Sequence, residues 1–123
     1  MSFDWKGYQA LADELCLNHL GGKEAALRTA CSRYYYAAFH RVLEHSIGDS
    51  NFKPEGNSND HRLLIAHLEW TNGSIARKLD SLRQLRNKCD YNSLDIATVE
   101  NSTKYARQLA VQILSAYPDS LAE

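Results

Sequence analysis

The feature that most constrains the fold is a long helical stretch whose apolar side chains cover more than one face. It begins near Lys23 and runs to about Ile47, with no proline and with apolar residues at helical spacing. A helix that is apolar over so wide an arc is typical of the centre of a bundle, because several neighbours must cover it. Two rows carry this prediction: Leu27, Cys31, Tyr34 and Ala38 in one, and Tyr35, Phe39 and Val42 in the other.

Four further helices complete the predicted bundle. The last has the clearest pattern, with apolar residues at i, i+3, i+4, i+7, i+8 and i+11 from Ala106 to Tyr117. A first helix ends at about Asn18, stopped by Gly21-Gly22, and a short third helix covers His61 to Trp70. A fourth begins after Asn72-Gly73 and keeps helical spacing at Ile75, Leu79, Leu82, Leu85 and Cys89. The polar segment from Gly48 to Asn59 is the one long loop.

Side chains suited to capping precede these helices. The sequence predicts Ser2 or Asp4 as the cap of the first, Asp60 of the third, Ser74 of the fourth and Thr98 of the last. No stretch shows the alternation of a strand. We therefore expect one all-α domain over residues 1–123, an up-and-down bundle of four long helices and a short one.

Composition excludes several classes of protein. With 44% hydrophobic and 24% charged residues the chain is ordinary for a globular domain, so disorder is not expected. No apolar run approaches the roughly 18 residues of a membrane span, and the N-terminus lacks the pattern of a secretory signal. Cys16, Cys31 and Cys89 are widely spaced among apolar residues, which is typical of reduced packing cysteines in a cytoplasmic protein. Their spacing predicts no zinc site, and we expect no cofactor.

The fourth helix carries a local concentration of positive charge in a chain whose formal net charge is -1. Its basic residues are Arg77, Lys78, Arg83, Arg86 and Lys88. Arg83, Arg86, Asn87 and Asp90 fall at i, i+3, i+4 and i+7, so they share one face. Arginine offers a planar, permanently charged fork, which makes this face a candidate phosphate clamp. The alternative is a solvated face whose cations lie near the negative end of the helix dipole.

Two segments resemble the signature segments of the HEPN family, small helical domains tied to RNA cleavage, nucleotide binding and microbial conflict systems. Ser-Arg-Tyr-Tyr-Tyr-Ala-Ala-Phe-His, from Ser32 to His40, is similar to the second-helix signature. Leu-Arg-Gln-Leu-Arg-Asn-Lys-Cys-Asp-Tyr-Asn, from Leu82 to Asn92, is similar to the fourth-helix signature, and His61 matches a further histidine. The resemblance covers nearly the whole chain and implies a HEPN-like bundle that pairs as a homodimer through its second and fourth helices.

The resemblance also implies a site, with one departure. Arg86 matches the motif arginine and Asn87 its polar neighbour, but the histidine expected four to six residues after Arg86 is missing, and Tyr91 stands there. A phenol with an ordinary pKa near ~10 is a poor base at neutral pH, although it can donate a hydrogen bond to phosphate. Arg86, Asn87 and Tyr91 are therefore the candidate catalytic residues, and the departure favours binding over cleavage.

Further residues are candidates for contact with RNA or nucleotide: Arg83, Arg33, Lys88, Ser32 and His40. His40 shares a helix face with Arg33 and Tyr36, so it or His61 can substitute for the missing histidine; each can equally be a packed residue at the edge of the core. The tyrosine run can be a base-stacking platform or part of the core.

Three functions remain open from the sequence. The first is a binding module of a toxin–antitoxin or antiviral defence system, which holds RNA, a nucleotide or a partner protein. The second is a metal-independent ribonuclease that uses Arg86 with a non-standard acid or base. The third is a structural subunit. In some family members the partner is a nucleotidyltransferase-type antitoxin that modifies a tyrosine, so Tyr91 is also a candidate for modification.

Overall fold

The computed structural model describes residues 6–118, excluding the side chain of Lys6, and every regular element within them is a helix. The prediction of an all-α bundle is confirmed. The helices are α1 (Lys6–Asn18), α2 (Lys23–Ser50), α3 (Asp60–Thr71), α4 (Gly73–Tyr91) and α5 (Ile96–Ala116).

Helix α2 is the centre of the bundle, as its wide apolar arc predicted. It has 28 residues, a length of roughly 42 Å at 1.5 Å per residue, and it contacts each of the other four helices. The side chains of Tyr34 and Tyr35 have no solvent exposure, and both predicted rows are buried along their whole length. Most of the tyrosine run is therefore core, and only Tyr36 is half-buried.

Helices α4 and α5 contribute the faces that the sequence predicted, with Leu85 and Tyr117 only partly buried. The buried residues of α5 are Val99, Thr103, Ala106, Leu109, Ala110, Ile113 and Leu114, and those of α4 are Ile75, Ala76, Leu79, Leu82 and Cys89. The hydroxyl of Thr103 donates to the carbonyl oxygens of Val99 and Leu27, at 2.8 and 3.1 Å, and so joins α5 to α2 inside the core.

Helix α1 ends at Asn18, as predicted, although not at the glycines, and helix α2 ends three residues later than the predicted Ile47. The chain leaves α1 at His19, whose φ of 50° is left-handed and whose N–H still donates to the carbonyl of Leu15, so helix α1 stops before the two glycines. Helix α2 continues through Gly48 to Ser50 and ends where Asn51 adopts a left-handed conformation. One glycine costs a helix about 1 kcal/mol, less than the packing of α2 supplies. The predicted caps Ser2 and Asp4 lie outside the described residues.

The three other predicted caps are wrong by one to three positions. The side chain of Asn72 accepts the N–H of Ile75 and caps α4 in place of Ser74, and Asp95 accepts the N–H of Thr98 and caps α5. Asp60 lies in the first turn of α3, and its carboxylate accepts the backbone N–H groups of Glu55 and Gly56 in the preceding loop. Any of several adjacent polar residues can cap, and the loop decides which of them has the extended backbone that capping needs.

The structure also bears on membrane insertion, on the cysteines and on metal binding. None of the five helices between residues 6 and 118 is both long and apolar enough to cross a membrane. Cys16, Cys31 and Cys89 are free thiols. Within the same part of the chain, no group of His, Cys, Asp and Glu side chains is placed to hold a metal ion.

Candidate functional site

The guanidinium of Arg86 is held between α4 and α2 by three neighbours. Its Nη2 donates to the hydroxyl of Tyr36 at 3.0 Å, and its Nη1 donates to Oδ1 of Asn87 at 3.2 Å. Its Nε lies 2.9 Å from Oδ2 of Asp90 in an ion pair. Of the predicted common face of Arg83, Arg86, Asn87 and Asp90, these contacts join the last three, and Tyr36 of the neighbouring helix adds a fourth member.

Arg86 is also stacked and partly buried. Its Cζ lies 5.2 Å from the ring centroid of Tyr36, which is the distance of a cation–π contact. Its side chain is only 20% exposed, and that of Asp90 is 25% exposed. A charge in such surroundings is screened less by salt than one on an open surface. The orientation of the guanidinium is thus fixed before any ligand arrives.

A cluster of aromatic rings from α2 and α3 lies beside this guanidinium. The ring of His61 stacks on Phe39 with centroids 4.1 Å apart, and its Nδ1 shares a hydrogen bond with the hydroxyl of Tyr35. The Tyr36 ring meets His61 edge-on at 6.0 Å and lies over His40 at 6.2 Å. Tyr36, His40 and His61 are half-buried, so this aromatic cluster has an accessible edge.

Both histidines of the aromatic cluster are neutral at pH 7. Burial lowers the pKa of His40 to about 4, and the neighbouring His61 adds to the effect. The pKa of His61 is lowered by burial first, and then by the positive charges of Arg83 and Arg86. The charges of Arg83 and Arg86 act on Tyr35 as well: they lower the pKa of its hydroxyl, although burial raises that pKa overall.

The other candidate cations of α4 differ in their surroundings. Arg83 is half-buried, and within residues 6–118 no carboxylate lies at ion-pair distance from it. Lys88 is exposed. Arg83 therefore adds a positive charge that no carboxylate among the described residues neutralises by contact.

Two candidate residues of α2, Arg33 and Ser32, make no contact with Arg86 in the described part of the chain. Arg33 stacks over the ring of Tyr8 in α1, with Cζ 5.2 Å from the centroid. Ser32 is buried, with 8% exposure. The structure thus brings His40 to Tyr36, whereas Arg33 stacks on Tyr8 and Ser32 is buried.

Tyr91, the third candidate catalytic residue, is the last residue of α4 and is 76% exposed. It makes none of the contacts that hold Arg86. Its side chain is accessible to another molecule.

One residue that organises the site has no signal in the sequence. Arg28 of α2 donates from Nη1 to the carbonyl oxygens of Cys89 and Asn92, at 2.6 and 2.9 Å. These carbonyls belong to the end of α4, where a positive charge also offsets the helix dipole. Arg28 thereby fixes the turn that carries Asp90 and Tyr91. Only the tertiary structure shows this pairing, because 61 residues separate Arg28 from Cys89.

The chain matches no family model, no curated protein and no solved structure. The chemistry of the site therefore rests on its own geometry. The surface combines the fixed guanidinium of Arg86, the positive charge of Arg83 and an accessible aromatic edge. Such a surface is suited to an anion attached to a planar group.

Proposed function

We propose that the protein is a HEPN-type domain of a toxin–antitoxin or antiviral defence system that binds RNA or a nucleotide through the face of Arg83, Arg86 and Asn87. One observation carries the proposal: the guanidinium of Arg86 is fixed by Tyr36 beside the half-exposed rings of Tyr36, His40 and His61.

The two halves of this surface suit the two halves of a nucleotide. Guanidinium groups bind phosphate through paired, charge-assisted hydrogen bonds. Aromatic side chains stack on bases, and each stacked base contributes about 1–3 kcal/mol. Neutral histidines add ring surface without the cost of burying a charge. The site thus favours a nucleic acid or a nucleotide over a simple inorganic anion.

A metal-independent ribonuclease is the alternative, and the position of His61 favours it. The imidazole is neutral, its Nδ1 is engaged by Tyr35, and the charges of Arg83 and Arg86 lie close to it. A neutral imidazole has a free lone pair that can take a proton from a 2′-hydroxyl, although its lowered pKa makes it a weak base. Against this stands the position of Tyr91, where the resemblance expects a histidine.

The assembly and setting of the protein follow from the same proposal. HEPN-type domains pair through the second and fourth helices, so α2 and α4 are the proposed homodimer contact. A nucleotidyltransferase-type antitoxin or a defence-complex protein is the proposed partner, and the cytoplasm the proposed location. The exposure of Tyr91 supports a role in recognition by such a partner.

Labelled tRNA and mRNA incubated with the purified protein in EDTA test the proposal. We expect wild-type protein to retain RNA with an affinity that falls steeply with salt, and Arg86→Ala and Arg83→Ala to weaken it. Arg77→Ala is the matched control, because Arg77 is exposed on the same helix, nine residues from Arg86 and on the opposite side.

The outcomes distinguish the binding module from the ribonuclease. Retention without cleavage supports the binding module, whereas cleavage that is lost in Arg86→Ala supports the ribonuclease. Failure of the wild-type protein to bind RNA or nucleotides would overturn both, as would equal losses in the Arg77 and Arg86 variants.

A further inference from the structure

A second concave surface lies away from the Arg86 site, where the end of α1, the start of α2 and the middle of α5 meet. It is a groove of about 310 Å³, at the lower end of the size range of small-molecule sites. Cys16, Leu27 and Thr103 line its inner part, and Lys23, Lys104 and Arg107 line it with positive charge. None of these residues contacts Arg86.

The inner part of the groove is unreactive and largely apolar. Leu27 is 6% exposed and Thr103 2% exposed, and the Thr103 hydroxyl is already used within the core. Burial raises the pKa of the Cys16 thiol, so the thiol stays protonated at neutral pH, and it lies 3.8 Å from the Tyr34 hydroxyl. Cys16 therefore contributes polarizable packing surface and no nucleophile.

The charged side chains around the groove carry an excess of one positive charge. Lys23 pairs with Glu100 at 2.8 Å, and Arg107 pairs with Asp13 at 3.4 Å. Within the described part of the chain, Lys104 has no carboxylate at ion-pair distance. Three cations thus face two carboxylates.

Glu100 does not cancel this excess. Its pKa is lowered by the hydrogen bond from Lys23, then by the charge of Lys23, by Lys104 and by His19. The carboxylate is therefore ionised and already compensated by Lys23. A ligand with its own negative charge meets Lys104 and Arg107 at the open side of the groove.

We propose that this groove binds a small organic anion, with its negative group at Lys104 and Arg107 and its apolar body against Leu27 and the thiol of Cys16. Three features of the groove support this class of ligand. Its volume limits the size of the ligand, its apolar interior favours a hydrocarbon body, and its excess positive charge favours a negative group. A simple inorganic anion leaves the apolar interior unfilled, and an uncharged hydrocarbon leaves Lys104 unpaired.

The test uses the anionic fluorophore 8-anilinonaphthalene-1-sulfonate, titrated into the full-length protein, with octanoate and octanol as competitors. We expect fluorescence to rise on binding, octanoate to displace the dye and uncharged octanol to displace it far less. Lys104→Glu, at an exposed position that preserves the core, is expected to weaken dye binding by roughly tenfold. Arg62→Glu, exposed on α3, makes the same charge change outside the groove and is expected to leave binding unchanged.

The Arg86→Ala variant separates this site from the proposed RNA site, because it is expected to bind the dye as the wild-type protein does. The proposal is overturned if wild-type protein does not bind the dye, if Lys104→Glu and Arg62→Glu lose affinity equally, or if octanol competes as well as octanoate. It is also overturned if dye binding is lost in Arg86→Ala, since the dye then occupies the other face.

Discussion

Nη2 of Arg86 donates a hydrogen bond of 3.0 Å to the hydroxyl of Tyr36, a residue 50 positions earlier in the chain. This contact joins the two segments on which the resemblance rests. It also makes the tyrosine hydroxyl the group that sets the orientation of the guanidinium from across the helix interface.

Tyr36→Phe is expected to weaken RNA binding by about fivefold while leaving the fold intact. The variant keeps the ring under the guanidinium and removes only the hydroxyl, and we take about 1 kcal/mol for the lost positioning, which corresponds to about fivefold in affinity. Affinity measured by fluorescence anisotropy at fixed salt checks this. Tyr105→Phe, at an exposed tyrosine of α5, is the matched control. Equal affinities for wild-type protein and Tyr36→Phe would show that the hydroxyl does not position Arg86 for binding.

Arg28→Met is expected to lower the free energy of unfolding by about 2 kcal/mol. The substitution keeps an unbranched side chain but removes the N–H groups that donate to the carbonyl oxygens of Cys89 and Asn92. These two hydrogen bonds come from a charged group, and methionine cannot replace them. Urea denaturation followed by circular dichroism measures the change. Arg62→Met is the control for loss of an exposed arginine. A loss no larger than that of the control would mean that water satisfies the end of α4 equally well.

Acid is expected to destabilise the protein through His40. Folding lowers the pKa of His40 from 6.5 to about 4, because burial disfavours the imidazolium and His61 lies nearby. Between those pH values the unfolded chain binds more protons than the folded one, so the free energy of unfolding falls as pH decreases from 6.5 towards 4. His40→Phe keeps a ring beside Tyr36 and is expected to show a shallower slope in that window. Above pH 7 the two proteins are expected to have the same slope, and parallel slopes throughout would contradict the assignment.

Tyr91 is expected to be the accessible target if a nucleotidyltransferase-type partner modifies the protein. Its side chain is 76% exposed at the end of α4, whereas Tyr34 and Tyr35 have no exposure. Intact-mass measurement of protein co-expressed with such a partner is expected to show the added nucleotidyl mass, and Tyr91→Phe to abolish it. An unshifted wild-type mass would refute modification, and a shift that persists in Tyr91→Phe would place it on another residue.

The sequence predicted the parts of the fold that depend on helical periodicity. The rows of α2 that contain Tyr34 and Tyr35 are buried as predicted, and so is the face of α5 from Ala106 to Leu114. The common face of Arg86, Asn87 and Asp90 followed from spacing alone. Such patterns are reliable because a helix turns by a fixed angle per residue, so spacing determines which side chains lie together.

The parts that depend on tertiary contacts could not be predicted in the same way. Spacing places Tyr36 on the same face of α2 as Arg33 and His40, but only the packing of α2 on α4 brings its hydroxyl to Arg86. The same holds for His61, which joins the aromatic cluster because α3 folds back onto α2. The caps at Asn72 and Asp95 were missed because the choice among adjacent polar residues depends on loop conformation.

The hydrogen bonds from Arg28 to the end of α4 limit which insertions and deletions the protein can tolerate. Arg28 and Tyr36 lie on the same helix, eight positions apart, and both bind α4. Inserting or deleting one residue between them would rotate one against the other by about 100° around the helix axis, so that only one could still reach its partner. A single-residue insertion there is therefore expected to break either the Arg28 contacts or the Tyr36 contact completely, whereas a substitution between them leaves both residues facing α4.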